Sequence, residues 1–309
     1  MNITTGLSRR EALLAGVAAP LITFVPRASH AKADMMGVAT PVFSRFKHGD
    51  FEVTTLLAGS RPVEDPHSIF GLNVSAEDFA EVSSANFLPV DTAQFFFTPT
   101  VVNTGPELVL FDTGLDAAGI TTALAAAGYA ADQVDIVVLT HMHGDHIGGL
   151  NSDMGVTFPN ARYVTGAVEH NHWMGAGNEG FDAKVRPLND QIAFLDDGGT
   201  VASGITAVAA FGHTPGHMAY MIESGGKALV LVADTANHPV WSLARPDWEV
   251  KFDMDKPAAA ETRRKLFGMI ATDRLPFVGY HMPFPATGFV EAVDDGFRYV
   301  PSSYQLMLG

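Results

Sequence analysis

Four metal-ligating side chains stand within six residues of one another, directly after the apolar segment 136–139: His141, His143, Asp145 and His146. Alternate residues of an extended chain point to the same side, so the first two histidines are expected to face one position. The flexible backbone of Gly144 lets the next two donors face a neighbouring position. Imidazole and carboxylate ligands suit zinc first, with iron, manganese or cobalt as alternatives. A solvated histidine-rich loop is the other interpretation, but this density of donors at a strand end favours a site for two metal ions.

The pattern H-x-H-x-D-H-x-G-G after a buried strand resembles the signature of the metallo-β-lactamase superfamily. This resemblance implies an α/β fold, the αββα metallo-β-lactamase-like sandwich, with a hydrolytic metal site at one edge. It also implies that further ligands lie on later strand ends. The candidates in this chain are His217, Asp234 and His281.

The segment F-G-H-T-P-G-H contains two histidines, His213 and His217, and either one is able to reach a metal. The resemblance favours His217, which directly precedes the predicted strand 218–222, and His213 is then expected to pack or hydrogen-bond nearby. Asp234 ends a predicted strand that is apolar after Lys227. A carboxylate in that place is costly unless it is paired or metal-bound, so we predict that Asp234 bridges the two ions.

The predicted centre therefore has two zinc ions. One is assigned to His141, His143 and His217, the other to Asp145, His146 and His281, and Asp234 is shared. A water between two such ions has its pKa lowered towards ~7 and would act as the nucleophile, so that no side-chain nucleophile is needed. Asp145 or Asp234 would act as the catalytic proton carrier to the leaving group, and the residues alone do not say which.

The composition predicts a globular protein without nucleic-acid partners. Its length allows one large domain or two small ones, and the lack of a recognisable interdomain linker favours one. The chain has 309 residues, 47% of them hydrophobic, which is enough for a large α/β core. Its formal net charge of −15 offers no basic stripe for DNA or RNA. The absence of cysteine excludes disulfides and thiolate ligands, and with them a cysteine-ligated β-lactamase.

Residues 1–33 are typical of a signal peptide. Arg9 and Arg10 precede an apolar stretch that ends near Val25, and a small-residue cleavage site follows at 31–33. The arginine pair suggests the twin-arginine route, with general secretion as the alternative. The apolar stretch is too short and too interrupted by proline to span a bilayer. We therefore predict a periplasmic or secreted hydrolase domain at 34–309, whose net charge is −18 because four cations and one anion are removed.

Several other segments have recognisable patterns. Residues 43–57 alternate around a glycine turn and predict a β-hairpin, and 59–89 predict an irregular insertion with a short helix near 75–79. Helices are predicted at 117–127 and 257–271. In the family, the aspartate of a D-T-G motif supports the metal site from behind. The matching residue is Asp112, although an aspartate that only closes a strand-to-helix turn has the same pattern.

The predicted substrate is a small neutral molecule. The motifs are most similar to those of acyl-homoserine lactonases and methyl parathion hydrolase, which implies the opening of a lactone such as an N-acyl-homoserine lactone, with organophosphate triesters as the alternative. A β-lactamase or a zinc protein without turnover is less consistent with a cysteine-free centre that leaves a water position. Phenylalanines at 70, 79, 87 and 95–97 are candidates for an apolar pocket wall. The sequence does not determine the oligomeric state, and a homodimer is compatible with it.

Overall fold

The computed structural model describes residues 36–308, so the predicted signal peptide at 1–33 lies outside the described residues. From Thr40 onward the chain forms one compact unit. Strands and helices are numbered below in chain order. No helix among the described residues is long and apolar enough to cross a membrane.

The first of two seven-stranded sheets is formed mainly by the N-terminal half of the chain. Its spatial order is β1 (Phe43–His48), β2 (Phe51–Leu56), β5 (Thr100–Asn103), β6 (Leu108–Phe111), β7 (Ile136–Leu139), β10 (Arg162–Gly166) and β11 (Ile192–Leu195). The pairs from β1 to β6 are antiparallel, and those from β6 to β11 are parallel. The three parallel pairs bring the ends of β6 and β7 to one edge of the sheet, where polar side chains emerge from buried strands.

The second sheet is formed by the C-terminal half. Its order follows the sequence: β12 (Thr200–Ala202), β13 (Ile205–Ala209), β14 (Met218–Ser224), β15 (Lys227–Ala233), β16 (Phe277–Gly279), β17 (Thr287–Val293) and β18 (Gly296–Pro301). Only β15 and β16 are parallel, because a long helix connects them. Since parallel strands end at the same edge, the residues that follow β15 and β16 are neighbours.

The two sheets pack face to face, and helices cover their outer faces. One core contains Val53 and Val138 from the first sheet with Ile222 and Leu231 from the second. The helices are α1 (Ala76–Ala85), α2 (Ala117–Ala126), α3 (Gly144–Ile147), α4 (Ala167–Ala176), α5 (Glu179–Lys184) and α6 (Lys256–Thr272). Helices α2, α4 and α5 cover the first sheet, and α6 covers the second. This layering is the predicted αββα sandwich.

Two short antiparallel ribbons lie outside the main sheets. One pairs β8 (Asn151–Ser152) with β9 (Gly155–Val156). The other, which we call the β3–β4 ribbon, pairs β3 (Gly59–Glu64) with β4 (Thr92–Phe97). The chain between β3 and β4 contains α1 and packs its aromatic side chains against the segment that follows β15, in a separate apolar cluster that contains Phe70, Phe79, Trp241 and Trp248.

The helix and hairpin predictions at 43–57, 117–127 and 257–271 are confirmed, whereas the insertion is more regular than its sequence indicates. Residues 59–64, which include Pro62, form an edge strand instead of a loop. An edge strand tolerates proline because one side of it has no hydrogen-bonding neighbour. Residues 200–209 form two strands, β12 and β13, and the chain turns between them at Gly204 with a positive φ of 79°.

Candidate metal centre

The donor side chains meet at one edge of the sandwich, and both sheets contribute to them. His141 follows β7, and His143 precedes α3, which carries Asp145 and His146. The remaining donors come from the second sheet and lie in the β13–β14 loop, directly after β15 and directly after β16: His213, Asp234 and His281. The chain therefore assembles the cluster only where the two sheets meet.

The G-G pair of the signature brings the ligand-bearing helix close to neighbouring backbone. A Cβ atom at Gly148 would lie 2.1 Å from the carbonyl oxygen of Leu115, and one at Gly149 would lie 2.1 Å from that of Thr113. Any side chain at either position would thus force α3 away from the segment after β6. The two glycines are needed for close approach, which in turn fixes the position of His146.

Asp234 lies at the middle of the cluster. Its Oδ1 is 3.3 Å from His146 Nε2, and its Oδ2 is 3.3 Å from His213 Nε2 and 3.2 Å from His281 Nε2. His141 Nε2 is 3.9 Å from the same Oδ2. One carboxylate thus faces histidines from both sides, which is the arrangement expected of a bridging ligand.

Two groups of donors flank this carboxylate. On one side, His143 Nδ1 lies 3.1 Å from His141 Nε2 and 3.0 Å from His213 Nε2. On the other side, Asp145 Oδ2 lies 3.3 Å from His281 Nε2 and 3.7 Å from His146 Nε2. Within each group the potential ligand atoms all lie within 4.8 Å of one another. The geometry therefore provides two adjacent positions for cations.

The geometry favours His213 over the predicted His217 as the donor from the β13–β14 loop. Both ring nitrogens of His217 are engaged by backbone, since Nδ1 is 3.1 Å from the carbonyl oxygen of Ala210 and Nε2 accepts the N–H of Asp234 at 3.1 Å. His213 instead directs Nε2 into the cluster. The turn through Thr214 and Gly216 reverses the chain, so the histidine nearer the strand supports the site and the farther one faces it.

Buried carboxylates hold several of these rings in place. Asp112 Oδ2 lies 2.8 Å from His146 Nδ1, and the same carboxylate accepts hydrogen bonds from the backbone N–H and the hydroxyl of Thr140. On the other side, Asp253 Oδ1 lies 2.8 Å from His213 Nδ1, and its second oxygen accepts from buried Arg263. Such outer partners orient the ring and raise its basicity as a ligand. Asp112 thus supports the site from behind, as the resemblance implies.

A third buried carboxylate, Glu169 on α4, joins the two ligand loops. Its Oε1 accepts from the backbone N–H of Met142 at 2.9 Å and from the indole of Trp173 at 2.7 Å. Its Oε2 accepts from the hydroxyl of Thr214 at 2.7 Å and the N–H of Gly216 at 2.9 Å. Met142 lies between two candidate ligand histidines and Thr214 follows a third, so one side chain fixes the spacing of all three.

Electrostatics in the cluster favour a bound cation. Burial, together with the nearby positive histidines, lowers the pKa of His143 to about 3, so its ring stays neutral and offers a lone pair. Burial would lower the pKa of His281 as well, but the carboxylates of Asp234 and Asp145 raise it to about 10. A divalent cation would take the place of such protons, because metal ligands bind in their deprotonated forms.

Two buried atoms of the cluster test whether these residues suit a metal. Among residues 36–308, His146 Nε2 and Asp234 Oδ1 are both buried and neither makes a hydrogen bond. Leaving buried polar atoms without partners costs free energy, and a cation coordinated by both atoms would remove that cost. The donor set of imidazoles and carboxylates, without thiolates, is the one that zinc and related divalent ions prefer. The residues therefore fit a two-metal centre.

A cavity of about 390 Å³ opens onto the cluster. Its floor contains His143, Asp145, Asp234 and His281, and its walls are Phe95, Phe97, Leu115, Phe252 and the cation of Arg61. The expectation for the phenylalanines is met only in part. Phe70 and Phe79 are buried in the core of the insertion, and Phe87 is 98% exposed and lies outside the cavity lining.

Sequence reasoning missed four residues around the site: Arg61, Glu169, Asp253 and Arg263. The local sequence patterns do not mark Arg61, Asp253 or Arg263, because each acts through contacts outside its own segment. A weak signal exists for Glu169, which is four residues before Trp173 and hence on the same face of a helix, although a solvated glutamate has the same spacing.

Comparison with known proteins agrees with this geometry. The profile of the metallo-beta-lactamase superfamily matches residues 98–279. The solved structure of AidC, a dizinc quorum-quenching lactonase in complex with the product N-hexanoyl-L-homoserine, is similar to this chain, with 26% identity and a TM-score of 0.79 over 85% of this chain and 98% of that one. The hydrolase AbOPH of the beta-lactamase superfamily has the same fold, with 23% identity and a TM-score of 0.80 over 87% and 100% of the two chains.

Curated relatives match only a part of the chain. An atrochrysone carboxyl ACP thioesterase of Cryptosporiopsis sp. is 31% identical over 128 residues, which are 40% of this chain and 34% of that protein. The corresponding enzyme of Emericella nidulans is 32% identical over 124 residues, which are 40% of this chain and 35% of that protein. The match thus spans about a third of the length of these relatives.

Proposed function

The chain belongs to the metallo-β-lactamase superfamily and is a metal-dependent hydrolase, and we propose that it opens the ring of neutral lactones such as N-acyl-homoserine lactones. The observation that carries this proposal is the cavity, because its apolar walls open directly onto Asp145, Asp234 and His281. An acyl chain fits between the phenylalanines while the ester carbonyl reaches the donor cluster. The similarity to a dizinc lactonase supports the same substrate class.

Two zinc ions are proposed as the cofactors. The proposed ligands are His141, His143 and His213 for one ion and Asp145, His146 and His281 for the other, with Asp234 shared. When bound, the ions would lower the pKa of water at the centre and polarise the carbonyl oxygen of the substrate. The overall reaction adds one water to the lactone carbonyl carbon and breaks its bond to the ring oxygen, and this would give a carboxylic acid and an alcohol in one open chain.

The protein's own residues orient the reactants and move the proton. Asp145 is the carboxylate more open to the cavity, with 23% of its side chain exposed against 3% for Asp234. We assign the transfer of the proton to the leaving oxygen to Asp145, since a proton carrier must reach the substrate. The aromatic walls exclude bulk water from the acyl chain and hold it in one orientation.

A substrate panel tests the proposal. The zinc-loaded protein is assayed for kcat/KM with long- and short-chain acyl-homoserine lactones, a phosphotriester and a β-lactam, and an Asp234→Ala variant controls for contaminating hydrolases. The long-chain lactone should have the highest value. A tenfold preference for the phosphotriester or the β-lactam, about 1.4 kcal/mol in transition-state binding, would contradict the lactone assignment.

Thioester hydrolysis is the second candidate, because the partial matches of 31% and 32% identity are both to thioesterases. A thioester presents the same acyl carbonyl to the centre, and only the leaving atom differs. An acyl thioester of the same chain length as the best lactone belongs in the panel. A tenfold higher kcat/KM for the thioester would make it the preferred substrate class.

Export is proposed from the sequence alone, on the basis of Arg9, Arg10 and the apolar stretch that follows. Replacing both arginines by lysine should keep the precursor in the cytoplasm if the twin-arginine route is used. Mature protein found outside the cytoplasm in this variant would point to general secretion instead.

A further inference from the structure

One cation lies in the wall of the cavity, where strand pairing places it. Arg61 on β3 is directly opposite Phe95 on β4, and Gly59 is opposite Phe97. Because Gly59 has no side chain, the guanidinium group extends over the ring of Phe97, with 5.6 Å between its central carbon and the ring centroid. Stacking on an aromatic face suits the planar guanidinium and fixes its orientation.

The β3–β4 ribbon is tied to the metal centre, so this cation has a defined position relative to the reacting atoms. His281 Nδ1 donates to the carbonyl oxygen of Phe96 at 2.8 Å, and the rings of Phe97 and His281 lie edge to face with 5.5 Å between their centroids. The ring of Phe97 therefore lies between Arg61 and His281, and all three side chains line the same cavity.

The hydrogen-bonding groups of Arg61 have no partner among the other described residues. Within residues 36–308 the guanidinium group makes no hydrogen bond or ion pair to another residue, whereas Arg263 and Arg264 pair with aspartates. The charged residues that line the cavity besides Arg61 and the histidines are Asp145 and Asp234. A cation with free donors in a wall of a strongly acidic protein is suited to bind an oxygen acceptor of a ligand.

We propose that Arg61 is a specificity-determining residue that binds a carbonyl or carboxylate oxygen of the substrate outside the bond that is broken. This inference rests on the proposed hydrolytic function of the same cavity and specifies its substrate class: acyl compounds with a second polar carbonyl group, in preference to plain alkyl esters and lactones. It also qualifies the sequence-based expectation of a neutral substrate in a pocket with an apolar wall, because this wall contains a cation.

Matched lactones with the same five-membered ring test the proposal. One carries only an alkyl chain, one carries the chain through an amide, and one carries a carboxylate at the chain end. The wild-type protein should prefer one or both of the acceptor-bearing lactones over the alkyl lactone by about tenfold in kcat/KM. The Arg61→Met variant, which keeps the packing on Phe97, should lose this preference, because its kcat/KM should fall about tenfold further with the acceptor-bearing lactones than with the alkyl lactone.

Two further variants separate recognition from structure. Arg61→Lys should retain part of the preference for the carboxylate but less of that for the amide, because lysine lacks the planar fork. Arg186→Met is the control, since Arg186 also lies over a phenylalanine, 5.8 Å from the ring of Phe181, but lies outside the cavity. It should leave all ratios unchanged. Equal losses with all three lactones in Arg61→Met, or no change, would overturn the proposal.

The outcome is distinguishable from failure of the lactonase assignment. If the wild-type protein turns over none of the lactones, the same comparison is made with aryl esters or thioesters that differ only in a carboxylate. If the ratio of kcat/KM between the two esters falls to about one in Arg61→Met, the role of Arg61 is supported although the lactone assignment has failed. A ratio that stays the same in the variant refutes it.

Discussion

His213 and His217 lie four residues apart in one loop, yet their surroundings assign them different tasks. His213 directs a ring nitrogen to Asp234 and is held from behind by Asp253, whereas both nitrogens of His217 are engaged by backbone atoms. A histidine used as a metal ligand needs one free nitrogen and one supported nitrogen. His213 meets this condition and His217 does not.

We expect His213→Ala to bind about one metal ion fewer and to lose more than about a hundredfold in turnover, because even the loss of an outer partner costs about 10–100-fold. His217→Ala should keep both ions but lose about 1–3 kcal/mol of stability, since it leaves the buried N–H of Asp234 without an acceptor. Metal analysis and urea unfolding of both variants distinguish the two roles. Loss of an ion from His217→Ala alone would reverse the assignment.

At the scale of single residues, the sequence predicts chemistry better than it predicts geometry. The sequence predicts the H-x-H-x-D-H segment, Asp234 and His281 as candidate ligands because donors after buried strands have few other uses. The geometry favours His213 over His217, and the sequence alone does not indicate this because the choice depends on the direction in which a glycine- and proline-containing loop turns. That direction is set by contacts with α4 and the segment after β15, which are not adjacent in sequence.

At the scale of elements, α4 controls the spacing of ligand loops from both sheets through Glu169. Glu169→Gln replaces one carboxylate oxygen with an NH₂ group that would face two donors. We expect a stability loss of about 2 kcal/mol and weaker zinc binding by roughly tenfold. Urea unfolding and competition with a chromophoric chelator measure the two effects.

The exposed Glu81 on α1 provides the control for this variant. Glu81→Gln removes the same charge without a buried contact and should change neither quantity measurably. If Glu169→Gln binds zinc as tightly as the wild-type protein and unfolds at the same urea concentration, the coupling of the loops through α4 is refuted.

A second element, the π-helical segment Pro239–Ala244, is capped by a histidine whose ionisation depends on folding. His238 Nδ1 accepts the N–H groups of Val240 and Trp241, and burial lowers its pKa to about 3. Below about pH 6.5, His238 is protonated in the unfolded chain but remains neutral in the folded chain. The free energy of unfolding therefore falls as the pH falls from 6.5 towards 3.

His238→Asn keeps an acceptor for the cap but removes this titration. We expect the stability lost by the metal-free protein between pH 7 and pH 5 to be about 2 kcal/mol smaller in the variant than in the wild-type protein. Urea unfolding at the two pH values gives the difference. An unchanged difference would mean that His238 does not contribute to the pH dependence.

The elements themselves were predictable where their pattern depends on local contacts. The amphipathic helices and the first hairpin follow from periodicity and turn residues, while β3 and β4 do not. These two strands pair although residues 65–91 separate them in the sequence. The intervening segment packs its aromatic side chains against Trp241 and Trp248, which are more than a hundred residues further along the chain. Long-range pairing of this kind leaves no periodic signal in one short window of sequence.

At the scale of the whole molecule, the proposed ions join two sheets that are otherwise held together by their apolar core. At a free zinc concentration of 100 times the Kd, each bound ion would add about 2.7 kcal/mol to the free energy of unfolding. Chelation should therefore lower the Tm by at least about 5 °C, and zinc should restore it together with activity. Calorimetry with and without a chelator provides the measurement, and a Tm insensitive to metal removal would contradict the joining role.

The β3–β4 ribbon belongs to neither sheet, and its backbone meets a proposed ligand through the hydrogen bond from His281 to Phe96. The ribbon supplies Arg61, Phe95 and Phe97 to the cavity but none of the proposed metal ligands. Selectivity and reactivity are thus encoded in separate stretches of the chain. Exchange of residues 59–97 between related hydrolases offers a route by which evolution, or an engineer, can give an existing catalyst a new substrate without rebuilding it.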